Sequence, residues 1–252
     1  MKVSRLNAVE QYIIQHGTAT IDELCERFSV SKNTIRRDLA ELEARGHISK
    51  VYGGVTTVGI SDIVPMPVRT TQNPKGKQLI GKLASELVSD GDTIFIDSGS
   101  TTVKLIRYIA QKKKITLITH SLSALIEAAK YEGINIISLG GIYSNPTNSF
   151  VGISTLESLS GLKIHKAFMA ATGVSIETGM TNTTFLEAEI KRGIVSRSNS
   201  IILMADSTKI NREAVITFCK LENLSYFITD ERPAQEYIDF CRERNITLLY
   251  EE

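Results

Sequence analysis

The chain has 252 residues, of which 42% are hydrophobic and 23% charged, an ordinary composition for a soluble globular protein and enough residues for two domains. Its formal net charge is only +1, so overall charge does not by itself indicate a nucleic-acid partner. Three cysteines without Cys-x-x-Cys spacing, and no clustered histidines, argue against a disulfide framework and a zinc site. No apolar run approaches the roughly 18 residues of a membrane span, so we expect a cytoplasmic protein without a metal centre.

The N-terminal region contains three candidate helices. Apolar residues at helical spacing before Gly17 predict the first, and Thr20 followed three residues later by Glu23 is the capping-box pattern that opens the second. A third helix is expected from Ser31, a good N-cap, to Gly46, a good C′ residue. The short join between the last two helices is typical of a helix-turn-helix.

The third predicted helix has one apolar and one polar face. Ile35, Leu39 and Leu42 form a single apolar stripe, whereas the opposite side carries no acid. In the major groove arginine reads guanine and asparagine reads adenine, while neighbouring groups hold phosphates. A charged helix face also serves solvation alone, and that alternative stays open. The candidate DNA-binding residues on this helix are Ser31, Lys32, Asn33, Thr34, Arg36 and Arg37.

A small hairpin is expected directly after this helix, because apolar residues lie on both sides of the paired glycines Gly53 and Gly54. We interpret the hairpin as a wing that brings Lys50 and Tyr52 near a phosphate or the minor groove. These two residues complete the candidate DNA-binding set.

From Thr20 to Val55 the chain resembles the winged helix-turn-helix of DeoR-type bacterial transcription regulators. The resemblance is carried by Ser-Lys-Asn-Thr-Ile-Arg-Arg-Asp-Leu and by the later Gly-His-Ile-Ser-Lys-Val-Tyr-Gly-Gly. The chain departs from the family at Lys50 and Tyr52, where Arg and His are common. Lysine supplies a point charge rather than a planar fork, so an arginine-specific contact is not expected in this wing.

Residues 58–74 are expected to connect two domains, because Gly59, Pro65, Pro67 and Pro74 interrupt any periodicity. This places a DNA-binding domain at 1–57 and a second domain at 75–252.

Helical and strand-like segments alternate from Lys75 onward, which predicts an α/β domain with an open, mostly parallel sheet and helices on both faces. In such folds ligands bind outside the carboxyl ends of the strands. The expected strands are Thr93–Ile96, Ile115–Ile118, Ile134–Leu139, Ala167–Ala170, Ile201–Met204, Tyr226–Ile228 and Thr247–Tyr250. The expected helices are Lys77–Leu87, Thr102–Ile109, Ser123–Lys130, Phe185–Ser196 and Pro233–Arg244.

Small or polar residues follow five of these strands. Asp97-Ser-Gly-Ser-Thr-Thr102 leads into a helix, where hydroxyls, free amides and the positive helix end suit a phosphate. A plain strand-to-helix connection is the alternative. The other loops are Thr119-His-Ser121, Gly140-Gly141, Gly173 and Asp206-Ser-Thr-Lys209.

Asp-Ser-Gly-Ser-Thr-Thr, Leu-Gly-Gly and Asp-Ser-Thr-Lys are similar to motifs in the effector domain of DeoR-type regulators. In that family the domain is similar in fold to ribose 5-phosphate isomerase and binds sugar phosphates. The resemblance implies that the phosphate is surrounded by Ser98, Gly99, Ser100, Thr101 and Thr102, that Asp97, Thr119 and His120 lie beside the sugar, and that Lys209 is a countercharge. Gly140, Gly141 and Gly173 lie in the other loops that follow the strands, and they complete the rim that these strand ends form.

Three further candidates have open alternatives. His120 stands where the family usually has Asn; it would let affinity depend on pH, or it is simply a turn residue. Glu187 and Lys191 are four residues apart on a predicted helix and are candidates for the effector site. Their alternative is a surface ion pair worth about 0.3–0.5 kcal/mol.

These features predict a DNA-binding transcriptional regulator, expected to repress a carbohydrate-catabolism operon. We expect it to work as a homo-oligomer, a dimer or a tetramer, with no cofactor and a phosphorylated sugar as effector. The alternatives are a sugar-phosphate isomerase with an appended DNA-binding domain and an activator of the same architecture. Residues 16–25 and Lys50-Val-Tyr-Gly-Gly-Val55 resemble repressors of inositol catabolism in Gram-positive bacteria, which implies 2-deoxy-5-keto-gluconate 6-phosphate as inducer.

Overall fold

The chain divides into two units, Met1–Val64 and Pro65–Glu252. The structure, a computed structural model, describes residues 5–6, 8–9, 12–13, 18–44, 48–51, 54–57 and 64–251.

The first unit contains the predicted helix-turn-helix and wing. The capping box is confirmed: the Thr20 hydroxyl accepts from the Glu23 amide at 3.1 Å, and the Glu23 carboxylate accepts from the Thr20 amide at 3.3 Å. The elements are β1 Thr18–Thr20, α1 Ile21–Phe28, α2 Lys32–Ala44, β2 Ile48–Val51 and β3 Gly54–Thr57. The three strands form an antiparallel sheet in the order β1-β3-β2.

Apolar residues at helical spacing form the core of this unit. The stripe predicted on α2 is confirmed, since Ile35, Leu39 and Leu42 are all buried. They pack with Leu24 of α1 and with the buried residues Leu6, Val9 and Ile13 of the predicted first helix. Gly54 lies so close to β1 that a Cβ there would be 2.4 Å from the Ala19 carbonyl oxygen, which explains the glycine at the start of β3.

The second unit begins earlier than the sequence indicated. Residues 65–74, which we assigned to a connector, fold as part of this unit and contain α3 Met66–Thr71. The next helix, α4 Pro74–Ser85, starts at the last of them. The prolines that suggested a linker precede or begin helices, the positions where the missing amide costs nothing. Residues 58–63 lie outside the described part of the chain.

The predicted parallel sheet is confirmed, with all seven expected strands present. The strands of this unit are β4 Thr93–Ile96, β5 Ile115–Thr119, β6 Ile134–Ser138, β7 Ile142–Ser144, β8 Ser149–Val151, β9 Ile164–Met169, β10 Gly173–Ser175, β11 Gly179–Asn182, β12 Ser198–Met204, β13 Ile216–Cys219, β14 Tyr226–Ile228 and β15 Thr247–Leu249. The order in the sheet is β15-β14-β12-β9-β4-β5-β6 and every pairing is parallel.

Both faces of the sheet are buried, as the helices on either side require. Along β4, Ile94 and Ile96 join one apolar cluster while Phe95 joins the other, as expected from the alternation of side chains along a strand. The remaining helices are a 3₁₀ turn Thr102–Leu105, α5 Ile106–Ile109, α6 Leu122–Ala128, α7 Ile153–Glu157, α8 Phe185–Val195, 3₁₀ turns Ser207–Lys209 and Leu221–Asn223, and α9 Gln235–Glu243.

Two antiparallel additions were not predicted. β7 and β8 form a hairpin after β6, and β10, β11 and β13 form a three-stranded sheet. Each strand has only three or four residues, too few for a clear alternation of apolar and polar side chains.

The strand order reverses between β4 and β9. From β4 the chain adds β5 and β6 on one side, and then returns to add β9, β12, β14 and β15 on the other. Such a switch point opens a crevice at the carboxyl ends of the two central strands, the usual ligand position in open α/β sheets. Asp97 follows β4 and Ala170 follows β9, so both lie at this crevice.

Candidate functional site

The exposed face of α2 carries the predicted DNA-binding side chains. The Ser31 hydroxyl accepts from the Thr34 amide at 3.3 Å and so caps the helix. Asn33, Arg36 and Arg37 are exposed, on the side opposite the buried stripe. Neither arginine has an ion pair or hydrogen bond among the described residues, which leaves both guanidinium groups available to a polyanion.

The two lysines of the predicted set are paired with acids. Lys32 Nζ lies 2.6 Å from Asp22 Oδ1, and Lys50 Nζ lies 2.5 Å from Glu43 Oε2. The hydrogen bond from Lys50 lowers the pKa of Glu43. DNA contact by either lysine therefore has to compete with a neighbouring carboxylate. Tyr52 lies outside the described residues.

One contact that orients α2 was not predicted. Arg5 binds the buried Asp38 with two parallel bonds, Nε to Oδ2 at 2.7 Å and Nη2 to Oδ1 at 3.1 Å. Asp38 faces inward, so this one of the acids on α2 is used for helix packing and not for the exposed face. Arg5 and Asp38 are 33 residues apart, and no local pattern marks such a pair.

Asp97 is the centre of the polar network at the switch point. Its side chain is fully buried; Oδ1 accepts from the Ser98 amide at 2.8 Å, and Oδ2 accepts from the Ala170 amide at 2.9 Å across the crevice. Lys191 Nζ lies 2.9 Å from Oδ2 and His120 Nε2 lies 3.3 Å from Oδ1. Burial would raise the pKa of Asp97, but Lys191 and His120 outweigh burial and hold that pKa well below its ordinary value.

Glu187 and Lys191 do not form the surface ion pair that was the alternative for them. Both are buried on α8 and each has other partners. Lys191 pairs with Asp97 and also donates to the Ala170 carbonyl at 2.8 Å. Glu187 accepts from Asn182 at 3.0 Å and from the Thr184 hydroxyl at 2.9 Å. The predicted helix is confirmed in α8. The face that it buries depends on tertiary contacts, which the sequence does not show.

Three hydroxyls at the strand ends are hydrogen-bonded within the protein. Two belong to the predicted phosphate loop and one to the loop that follows the next strand. Thr102 donates to the Asp97 carbonyl at 2.7 Å, and Thr119 donates to the Ile96 carbonyl at 2.6 Å. Ser98 has a longer bond, 3.4 Å, to Glu187. The side chains of Ser100 and Thr101, in contrast, have no hydrogen bond to any described residue. These two hydroxyls are therefore the loop's available donors.

The glycines of the rim have structural roles in this arrangement. A Cβ on Gly99 would lie 2.3 Å from the Cβ of Ala170, so glycine lets the two strand ends approach. Gly141 has a φ of +148° and faces the Thr155 hydroxyl. Gly173 begins β10 instead of lying in a loop, and a Cβ there would meet the Arg212 carbonyl. Gly140 is exposed and its carbonyl accepts from Thr155 at 2.7 Å.

His120 is fully buried beside Asp97. Its Nδ1 lies 3.1 Å from the Phe150 carbonyl oxygen, and its Nε2 contacts Asp97. Both partners are acceptors, so both contacts are satisfied only when the ring carries two protons.

Lys209 and a buried lysine lie near the end of β12. Lys209 is half-buried in the 3₁₀ turn; burial lowers its pKa, and so does Arg69, while Asp206 opposes them. Lys77 of α4 is buried, and its Nζ donates to the Arg69 carbonyl at 2.5 Å and the Gln72 carbonyl at 2.7 Å. Burial lowers the pKa of Lys77 to about 8 although Asp206 lies 3.9 Å away.

Arg69 of α3 belongs to the same cluster and was missed, because the sequence placed it in a connector. Its Nε and Nη2 are closed to solvent and have no hydrogen-bond partner among the described residues. Burial lowers its pKa, whereas the charges of Glu187 and Asp97 raise it, which places the guanidinium near both carboxylates. The signal available in the sequence was Pro65 and Pro67, which fit a helix start as well as a linker.

The three cysteines are free thiols, and burial raises the pKa of Cys219 and of Cys241 to about 11. Within the described ranges no group of three His, Cys, Asp or Glu side chains is placed to hold a metal ion. No helix in that part of the chain is long and apolar enough to cross a membrane.

Comparison with known proteins places both units in one family. Residues 5–59 match the DeoR-like helix-turn-helix domain and residues 72–231 match the DeoR C-terminal sensor domain. The HTH-type transcriptional regulator IolR of Bacillus subtilis (strain 168) is 39% identical over 98% of both chains. The HTH-type transcriptional repressor GlcR of the same organism is 30% identical over 98% of this chain and 96% of its own.

A lactose phosphotransferase system repressor of Streptococcus mutans is 33% identical over 91% of this chain and 92% of its own. Among solved structures, ribose 5-phosphate isomerase A from Methanocaldococcus jannaschii aligns with a TM-score of 0.42 and 21% identity over 55% of each chain. These three relatives match more than nine tenths of the chain and are named transcriptional regulators or repressors, so the isomerase alternative is not retained. The chain belongs to the DeoR family of DNA-binding transcriptional regulators.

Proposed function

We propose that this protein represses a carbohydrate-catabolism operon and that a phosphorylated sugar, bound at the switch-point crevice, controls its affinity for DNA. The observation that carries the proposal is the crevice itself. It combines two available hydroxyls, Ser100 and Thr101, with the half-buried cation Lys209 at the carboxyl edge of the sheet. A sensor domain with this edge suits a small anionic ligand bearing several hydroxyl groups.

Within this proposal the side chains have different roles. Ser100, Thr101 and Lys209 bind the phosphate, while Asp97 and His120 lie on the sugar side. The backbone amides of the loop, with Gly99, shape the phosphate site. Ser98, Thr102, Thr119, Glu187 and Lys191 hold the loop and Asp97 in place, and Gly140, Gly141 and Gly173 shape the surrounding backbone.

On the DNA side, we propose that Arg36, Arg37 and Asn33 read base edges in the major groove. Ser31, Lys32 and Thr34 hold the phosphates beside the helix start, and Lys50 and Tyr52 of the wing contact the backbone or the minor groove. Residues 1–57 then form the DNA-binding domain. The protein acts as a dimer or a tetramer, because two half-sites one helical turn apart require two such domains. We place it in the cytoplasm, where its DNA lies.

For the ligand, we propose an intermediate of inositol catabolism, 2-deoxy-5-keto-gluconate 6-phosphate. Support comes from the motifs at residues 16–25 and 50–55 and from the 39% identity to IolR over the whole chain. Other relatives are named for other sugars, as the lactose phosphotransferase system repressor is, so phosphorylated sugars as a class are the wider proposal for the ligand. The second candidate is an activator of the same architecture. The position of the operator relative to the promoter distinguishes an activator from a repressor.

A thermal-shift screen on the full chain tests the ligand class. The panel contains phosphorylated sugars, including 2-deoxy-5-keto-gluconate 6-phosphate, each beside its unphosphorylated counterpart. A ligand at 100 times its dissociation constant stabilises the folded state by about 2.7 kcal/mol, so a bound sugar phosphate raises the melting temperature measurably. Stabilisation by the phosphorylated member alone supports the proposal, and no shift with any phosphorylated compound contradicts it.

A further inference from the structure

The guanidinium of Arg69 has two unused donors on a single edge. Nε and Nη2 are the pair whose N–H bonds point in parallel, the geometry that binds two oxygens of a phosphate or carboxylate at once. In this structure both atoms are closed to solvent and neither has a hydrogen-bond partner among the described residues. Leaving charged donors buried and unsatisfied is costly, so this edge is suited to pairing with an anion.

The carboxylates nearby do not fill that role. Asp97 already pairs with Lys191 and with two backbone amides. Glu187 accepts from Asn182 and Thr184. Both influence Arg69 only through their charge.

Charge in the cluster also favours an added anion. The cations are Arg69, Lys77, Lys191 and Lys209, and the carboxylates are Asp97, Glu187 and Asp206. Among these seven groups the cations outnumber the carboxylates before His120 is considered, and the charges of Lys104 and Arg212 also reach Lys77 and Lys209. Of the four cations named first, Arg69 and Lys209 are the two with no hydrogen-bond partner for the side chain among the described residues.

We propose that the Nε–Nη2 edge of Arg69 binds the phosphate of the effector, with Lys209 as the second cation, and that α3 shifts when this bond forms. The movement follows from the burial: an anion reaches a closed edge only when the covering structure opens. The inference rests on the proposed function and adds to it a binding residue and a moving element. It goes beyond the loop Ser98–Thr102 and Lys209, which the family resemblance implied as the phosphate site.

Movement of α3 gives the ligand a route to the rest of the chain. α3 is the first helix of the second unit and follows directly in sequence on residues 58–64. Its C-terminal end is tied to α4 by the two bonds from Lys77. A phosphate that pulls on Arg69 therefore acts on the segment that leads back to the DNA-binding unit.

The test uses the full chain and three variants: Arg69→Gln, Arg69→Lys and, as the control, Arg197→Gln. Arg197 is an exposed arginine at the amino end of β12, so its replacement changes the net charge equally at the opposite edge of the sheet. Calorimetric titration is carried out with the phosphorylated sugar that gives the largest thermal shift and with inorganic phosphate. Hydrogen exchange is followed in peptides covering residues 64–73.

We expect Arg69→Gln to weaken binding of the phosphorylated sugar by at least about tenfold, because a charge-assisted bidentate contact is lost. Arg69→Lys keeps the charge without the fork and should give a smaller loss, and Arg197→Gln should bind like the wild type. In the wild type the ligand should change exchange across residues 64–73, and in Arg69→Gln it should not.

The outcomes separate this inference from the proposed function. Equal affinity of wild type and Arg69→Gln for a phosphorylated sugar would overturn the role of Arg69 and leave the proposed function standing. Binding of inorganic phosphate through Arg69 without binding of any phosphorylated sugar would support Arg69 as an anion-binding residue and overturn the proposed function. Tenfold weaker binding with unchanged exchange in residues 64–73 would overturn the movement of α3.

Discussion

The exposed face of α2 and the switch-point crevice are the two proposed sites for phosphate-bearing partners, and they differ in how their cations are placed. On α2, Arg36 and Arg37 are exposed and have no acidic partner among the described residues. At the crevice, Lys191 is buried against Asp97. The comparison teaches that a site for a large polyanion is built on the surface with open charges. The proposed site for a small ligand is built inside, where Lys191 is already paired with Asp97 and the buried guanidinium edge of Arg69 has no partner among the described residues.

The largest effect is expected where the charges are buried. Asp97→Asn leaves Lys191 without its counterion and should cost about 3–5 kcal/mol of unfolding free energy, because an unpaired buried charge is strongly destabilising. Urea denaturation of the full chain measures the loss. Asp239→Asn is the control, since its pair with Arg242 is exposed and worth at most about 1 kcal/mol. Equal losses in the two variants would contradict the difference drawn between the two regions.

The next effect concerns DNA and leaves folding unchanged. Arg36→Ala and Arg37→Ala should each weaken operator binding by about 1–3 kcal/mol and relax specificity at one base position. Fluorescence anisotropy on an operator selected from a random duplex pool gives both quantities. Arg197→Ala removes the same charge from the second unit and should bind DNA as the wild type does. Unchanged operator affinity in the Arg36, Arg37 double variant would remove the groove interpretation.

The pH dependence should differ between Asp97→Asn and the wild type. The pKa of Asp97 is held below its unfolded-state value of about 3.9, so its ionised form contributes stability above that pH, and the contribution disappears as the pH falls below it. The difference in unfolding free energy between wild type and Asp97→Asn should therefore be largest near neutral pH. It should shrink from about pH 5 downward. A difference that stays constant to pH 3 would show that the charge of Asp97 is not what stabilises the crevice.

The smallest effect is expected from the wing. Lys50→Ala should weaken binding to all DNA sequences alike and reduce the slope of log affinity against log salt by about 1. Glu43→Gln releases Lys50 from its carboxylate and should raise affinity modestly. Both are measured by anisotropy at several salt concentrations. A change of sequence preference in Lys50→Ala would mean that Lys50 reads bases.

Much of the fold was predictable because its signals are local. The capping box at Thr20 and the stripe of Ile35, Leu39 and Leu42 depend on residues a few positions apart. The seven parallel strands are short apolar runs between helices, and a sheet buried on both faces requires such runs. The short antiparallel strands lacked this signal, and the prolines at the starts of α3 and α4 are compatible with both a linker and a helix start.

The site was predictable only in part, for a physical reason. Sequence placed Asp97, His120 and Lys209 at strand ends, and the topology brings strand ends to one edge. The sequence could not show that the hydroxyls of Thr102 and Thr119 donate to backbone carbonyls, because those partners are set by tertiary packing. Arg69 was missed for the same reason, since its place depends on how α3 packs on α4.

The most direct test measures DNA affinity and ligand together. Full-length protein is titrated onto its selected operator with and without each sugar phosphate, at concentrations saturating by calorimetry. We predict that at least one phosphorylated sugar changes operator affinity tenfold or more, while its unphosphorylated counterpart leaves it unchanged. Operator affinity that stays constant with the crevice demonstrably occupied would contradict the central claim that the ligand controls DNA binding.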